Sequence, residues 1–136
     1  MLFVYRCLTL ILYPLFIILI YFRSISNKDD KERFKEKIFF HHFNINKNDN
    51  KKLIWFHAAS IGECLSILPL IEEINSTNKN IDFLITTVTL SSSRLLEKKL
   101  IKYNNIVHRF FPLDTKNLAQ KFLNLWKPDI ACFVDS

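Results

Sequence analysis

Residues 53–74 read LIWFHAASIGECLSILPLIEEI, and this stretch decides the fold. Leu53-Ile54-Trp55-Phe56-His57 is a short apolar run, too short for a helix of its own and rich in residues that suit a pleated surface. From Glu63 to Ser76 the period changes. Ile67, Leu68, Ile71 and Ile74 recur at helical spacing, with Pro69 expected to kink the helix or mark a fresh start. A strand feeding a helix is half of a crossover unit.

The same alternation continues to the end of the chain. Ile81 to Val88 is a second strand, Ser91 to Ile101 a helix with Leu95, Leu96 and Leu100 on one side, and Ile106 to Phe111 a third strand stopped by Pro112. Asp114 can cap a helix that runs through Trp126 and closes at Lys127-Pro128, and Ile130 to Val134 is a fourth strand. Four nearly continuous apolar strands separated by helices predict a parallel sheet covered on both faces, an α/β, Rossmann-like domain over residues 53–136.

Upstream the composition is different. Leu2 to Phe22 is apolar apart from Arg6 and Thr9. Its 21 residues would make a helix of about 31 Å, enough for a bilayer core. Residues 1–22 are therefore read as a membrane-anchor helix. A spanning helix is the preferred reading, although Arg6 and Pro14 suit a helix lying in the inner leaflet better. A cleaved signal peptide fits poorly, because no small-residue cleavage site follows the apolar run.

Residues 23–52 form a basic juxtamembrane linker. They carry nine Lys or Arg against five acids and so hold most of the chain's net charge of +6. Basic residues beside an apolar segment point to anionic lipid as partner, and they place the globular domain on the cytoplasmic side of the inner membrane. No nucleic-acid recognition motif is present, so nucleic acid is not expected as a partner. Within this linker Asp29 to Ile38 reads equally well as a short charged helix at the membrane surface or as solvated chain. Cys7, Cys64 and Cys132 are far apart with no CxxC, which predicts neither disulfide nor zinc site. His41-His42 and His108 have no acidic or cysteine partners at ligand spacing, and no metal is expected.

Ligands of open parallel sheets bind beyond the carboxyl ends of the strands. After strand one comes Ala58-Ala59-Ser60-Ile61-Gly62-Glu63; after strand two, Thr86-Thr87-Val88-Thr89; after strand three, Pro112-Leu113-Asp114; after strand four, Asp135-Ser136. Hydroxyls and carboxylates thus collect at one edge. Gly62, the chain's only glycine, suggests a positive φ, a ligand close to the main chain or a plain tight turn. Glu63 is open to two readings, a first-turn acid complementing the helix dipole or a general base. His57 is read as a satisfied, half-buried histidine.

LIWFHAASIGE resembles the start of the nucleotide-binding-like fold in the 3-deoxy-D-manno-octulosonic acid (Kdo) transferases. The His-x-x-Ser-x-Gly-Glu element is its most specific part. Tyr13-Pro14-Leu15 is similar to that family's anchor, and Arg33-Phe34-Lys35-Glu36-Lys37 to its Arg-x-x-Glu-Arg segment. Leu68-Pro69-Leu70-Ile71, Thr86-Thr87-Val88-Thr89 and Pro112-Leu113-Asp114 keep its order. This sequence departs from the family at Ser92, near the place of a glycine, and at Asp135, where the family usually has Glu.

The resemblance implies the amino-terminal, acceptor-side half of a GT-B glycosyltransferase of lipopolysaccharide biosynthesis, with the donor domain outside this chain. Kdo would pass from CMP-Kdo to the lipid A precursor lipid IVA with inversion, without metal or cofactor. It implies Glu63 as proton acceptor, Asp135 as transition-state stabiliser, and Ser60, Gly62, Thr87 and Thr89 as substrate-binding residues. Residues 1–136 alone are not expected to transfer sugar. Two other readings stand beside this one: another membrane-associated GT-B transferase acting on a lipid-linked acceptor, and a non-enzymatic membrane-tethered α/β binding module.

Overall fold

The computed structural model describes residues 2–25, 33–38 and 50–134. The paired histidines His41-His42 and the residues Asp135 and Ser136 lie outside them.

Four strands, β1 (Lys52–Ala58), β2 (Ile81–Thr87), β3 (Ile106–Phe110) and β4 (Ile130–Val134), form one all-parallel sheet in the order β3-β2-β1-β4. The connecting helices are α2 (Ile61–Thr77), α3 (Leu90–Leu100) and α4 (Lys116–Trp126), after an N-terminal helix α1 (Leu2–Ile25). The α/β class and parallel sheet expected from the alternation are both present.

Alternation along β1 sorts the core into two layers. Ile54, Phe56 and Ala58 face one side, where Cys64, Ile67, Leu68 and Ile71 of α2 and Leu96 and Leu100 of α3 close over them. Leu53 and Trp55 face the other, against Phe122 and Trp126 of α4. Phe122 and Trp126 are both almost fully buried. Burying an apolar side chain of the size of Phe122 contributes roughly 1.5–3 kcal/mol. β2 is the best protected strand, with Phe83 through Thr87 entirely inaccessible.

Several local expectations need correction. Helix α2 begins at Ile61 rather than Glu63 and runs through Pro69 as one helix. Pro69 is exposed, so the missing N–H lies on the solvent side. Thr115, not Asp114, caps α4: its hydroxyl accepts from the Leu118 amide at 3.4 Å. Gly62 has no positive φ, and a Cβ placed on it would meet nothing closer than Ser60 Oγ at 4.0 Å. It is an ordinary helical residue with open space beside it.

Helix α1 forms over the apolar segment and extends three residues beyond Phe22. Among the described residues, however, no helix is long and apolar enough to cross a membrane. The uncharged run between Arg6 and Arg23 holds 16 residues. That is about 24 Å of helix, short of a core of about 30 Å.

The charged stretch before β1 also differs from its reading. Arg33–Lys37 is a 3₁₀ helix, η1, and it is neither solvated nor set apart from the domain. Phe34, Glu36 and Lys37 are buried. Phe34 and Ile38 pack with Ile17 and Ile20 of α1 and with Leu113 after β3.

Candidate functional site

The strand order reverses between β1 and β4. The chain steps outward from β1 to β2 and β3, then returns past β1 to lay down β4. A crevice opens at such a reversal, outside the carboxyl ends of the two strands. Here those ends are Ala58 and Val134, which pair across the sheet. Asp135 follows Val134 directly, but lies outside the described residues.

Glu63 stands at this crevice because α2 starts there. Ser60, in extended conformation, is the N-cap, and its hydroxyl accepts from the Glu63 amide at 3.3 Å. The Glu63 carboxylate reaches back to the Ala59 amide at 2.7 Å, the Ser60 amide at 3.4 Å and the Ser60 hydroxyl at 2.9 Å. This reciprocal arrangement is a capping box, which satisfies the orphan donors of a helix start. The side chain is only 9% exposed. Ser60 and Gly62, by contrast, are open to solvent.

His57, at the end of β1, points to the other face. Its ring lies 4.2 Å from that of Phe111 and 5.5 Å from that of Phe133, with Nδ1 2.9 Å from the Thr86 hydroxyl. The Trp55 indole donates to the same hydroxyl at 2.8 Å. Burial holds the His57 imidazole below its usual pKa, against weaker opposing effects of Thr86 and Glu63. The half-buried, satisfied histidine expected from the sequence is what forms.

Thr87 and Thr89 end up in different roles. Thr89 is exposed and caps α3, accepting from the Ser92 amide at 3.2 Å and sharing a hydrogen with the Ser92 hydroxyl at 2.7 Å. Thr87 is fully buried, its hydroxyl 2.8 Å from Nε2 of His108. The structure therefore brings Ser60, Gly62, Glu63 and Thr89 to the accessible edge and sets Thr87 beneath it.

Beside Thr87 lies a cluster that the sequence reading did not find. Arg33 of η1 forms a two-point pair with Glu36, at 2.8 and 3.1 Å, and extends to Glu97 of α3 at 2.6 Å. It also donates to the His108 carbonyl at 3.0 Å and approaches His108 Nδ1 at 3.2 Å. Glu36 accepts from the buried Phe110 amide at 2.9 Å. Lys37 donates to the Val88 carbonyl at 3.1 Å. The Arg33 guanidinium and the Lys37 ammonium both lie over the Phe110 ring, at 5.2 and 4.8 Å.

Burial, reinforced by the positive charges of Arg33 and Arg109, pushes His108 down to about 3, so the ring is neutral at ordinary pH. One signal could have exposed the cluster. Phe34 is an apolar residue in the middle of a charged run, and a solvated helix has no use for it. Among the described residues, no three His, Cys, Asp or Glu side chains are grouped to hold a metal ion.

The profile of one family, described as 3-deoxy-D-manno-octulosonic-acid transferase (kdotransferase), matches residues 31–136. Curated relatives of that name agree with it. The chain is 37% identical to the 3-deoxy-D-manno-octulosonic acid transferase of Rickettsia bellii, over 97% of this chain and 30% of the relative. It is 30% identical to that of Rickettsia prowazekii, over all of this chain and 38% of the relative. A third, from Rickettsia conorii, is 42% identical over 65% of this chain and 19% of the relative. The chain thus spans about a third of the length of the relatives it matches along its whole length. No solved structure matches it. With a profile match from η1 through the carboxyl edge of the sheet, the chain belongs to the Kdo transferase family of glycosyltransferases.

Proposed function

We propose that this chain supplies the acceptor side of a GT-B transferase that moves Kdo from CMP-Kdo to a hydroxyl of lipid IVA. The observation that carries the proposal is the placement of Glu63, a buried carboxylate at the β1–β4 crevice that accepts hydrogen bonds from the Ala59 and Ser60 amides and the Ser60 hydroxyl.

In this reading Glu63 accepts the proton of the acceptor hydroxyl as its oxygen attacks the anomeric carbon of Kdo. The bond from that carbon to the phosphate oxygen breaks, CMP leaves with the electron pair, and configuration inverts. Asp135, next to the end of β4, stabilises the charge that develops. Ser60, Gly62 and Thr89 contact the substrate from the accessible edge, and Thr87 supports them from below. The open space beside Gly62 lets a sugar approach the main chain. The chain's residues carry this chemistry without metal or cofactor, and the donor nucleotide binds mainly outside this chain.

Helix α1 would hold the domain at the cytoplasmic face of the inner membrane. Val4, Leu8, Ile11, Leu15 and Phe22 are exposed along it, and the basic linker after it suits anionic headgroups. An in-plane helix fits the short uncharged run better than a spanning one.

The test is a chimera in which this chain replaces the aligned segment of the Rickettsia bellii relative, assayed for transfer from CMP-Kdo to lipid IVA. The chimera should be active and its Glu63→Gln variant should retain membrane binding while losing turnover. Near-normal turnover in that variant would remove Glu63 from the mechanism.

A further inference from the structure

Three residues of η1 touch four parts of the domain. Glu36 meets the end of β3 at the Phe110 amide, Lys37 meets the end of β2 at the Val88 carbonyl, and Arg33 meets α3 at Glu97. The Lys37 carbonyl accepts from the Leu113 amide after β3 at 2.9 Å. This is more than a local pair needs.

The hydrogen-bond network also assigns a tautomer. Arginine has donors only, so the Arg33 contact at 3.2 Å makes Nδ1 of His108 an acceptor. In a neutral ring the proton is then on Nε2, which donates to the Thr87 hydroxyl at 2.8 Å. A line of bonds therefore runs from Glu36 through Arg33 and His108 to Thr87, at the carboxyl end of β2. Lys37 holds the next residue, Val88, and Thr89 follows as the cap of α3.

We propose that Arg33, Glu36 and Lys37 are positioning residues: η1 fixes the Thr87–Thr89 loop at the floor of the site, through His108 on one side and the Val88 carbonyl on the other. They touch no reacting atom. Their effect on sugar transfer rests on the function proposed above, whereas their effect on the loop does not.

The two can be tested apart. In the chain itself, nitrogen-15 NMR of the His108 ring should show a neutral imidazole with its proton on Nε2 between about pH 5 and 8. Arg33→Met should mix the two tautomers. In Lys37→Met, which keeps the Arg33–Glu36 pair, amide exchange at Ser92 and Ser93 should quicken at least about tenfold as the loop loosens. If Arg33→Met fails to fold, the Lys37→Met exchange arm decides. A wild-type ring with its proton on Nδ1, or unchanged exchange in Lys37→Met, would overturn the assignment.

In the chimera, Arg33→Lys keeps the charge but loses the two-point fork. It should lower kcat about ten- to a hundredfold with little change in KM for the donor. Unchanged kcat there would make η1 a stabilising strap only. A wild-type chimera without activity would count against the proposed function, while the NMR and exchange results would still decide the positioning role.

Discussion

Glu36 and Glu63 are both buried at the carboxyl edge of the sheet, and each accepts a hydrogen bond from a backbone amide. Their surroundings differ in reach. Glu36 takes the amide of Phe110, 74 residues away, and is locked to Arg33 by two bonds. The backbone amides that Glu63 takes are those of Ala59 and Ser60, four and three residues away. A carboxylate that joins distant segments is committed to the fold. Glu63 instead closes the start of its own helix, and the same carboxylate stands at the crevice where a substrate hydroxyl can reach it.

The sharpest way to break this comparison is to remove each charge in turn. Glu63→Gln in the chimera should lower turnover roughly 100- to 10,000-fold, about 3–5 kcal/mol of barrier. Its stability should change by no more than about 1 kcal/mol. Glu36→Ala should do the reverse in kind, costing about 3 kcal/mol of unfolding free energy in urea titrations because Arg33 keeps its charge without its main partner. Equal stability losses at the two positions would erase the distinction.

A pH series sharpens it further. His108 is faced by Arg33, Arg109 and Thr87, with Glu36 behind Arg33. Its folded pKa, about 3, lies below the ordinary 6.5, so the unfolded chain binds the proton first. The ring's contribution is therefore complete above about pH 6.5 and is lost progressively as pH falls toward 3, at up to about 1.4 kcal/mol per pH unit. His108→Gln should flatten that part of the stability profile. The smallest effect should come from Ser60→Ala, about 1 kcal/mol for a lost N-cap, with a measurable fall in turnover because Glu63 loses its hydroxyl partner.

The core of the fold was legible because its signals are local. The apolar run Leu53–His57, the helical period of Ile67, Leu68 and Ile71, and the later repeats of that pattern lie in order along the chain, and the sheet follows them. Ser60, Gly62 and Glu63 could be placed at the edge for the same reason. The features that escaped notice are non-local. Nothing in the run from Arg33 to Lys37 shows that Glu36 will cap the end of β3 or that Arg33 will reach His108. Pro69 misled because its exposure, which makes it harmless to α2, is a tertiary fact. Thr115 was overlooked beside Asp114 because either side chain can cap, and only backbone geometry chooses between them.

The long reach of η1 has a consequence for synthesis. His108 and Phe110 are made about 75 residues after Arg33 and Glu36, so η1 has no seat when it leaves the ribosome. At about 5–20 residues per second the wait lasts roughly 4 to 15 s. Through that interval α1 has already emerged, and its Ile17 and Ile20 lack the Leu113 contact that joins them to the domain. The nascent chain thus presents its most apolar segment to its surroundings seconds before the sheet that anchors η1 can exist, and whatever first receives α1 does so without help from the folded domain.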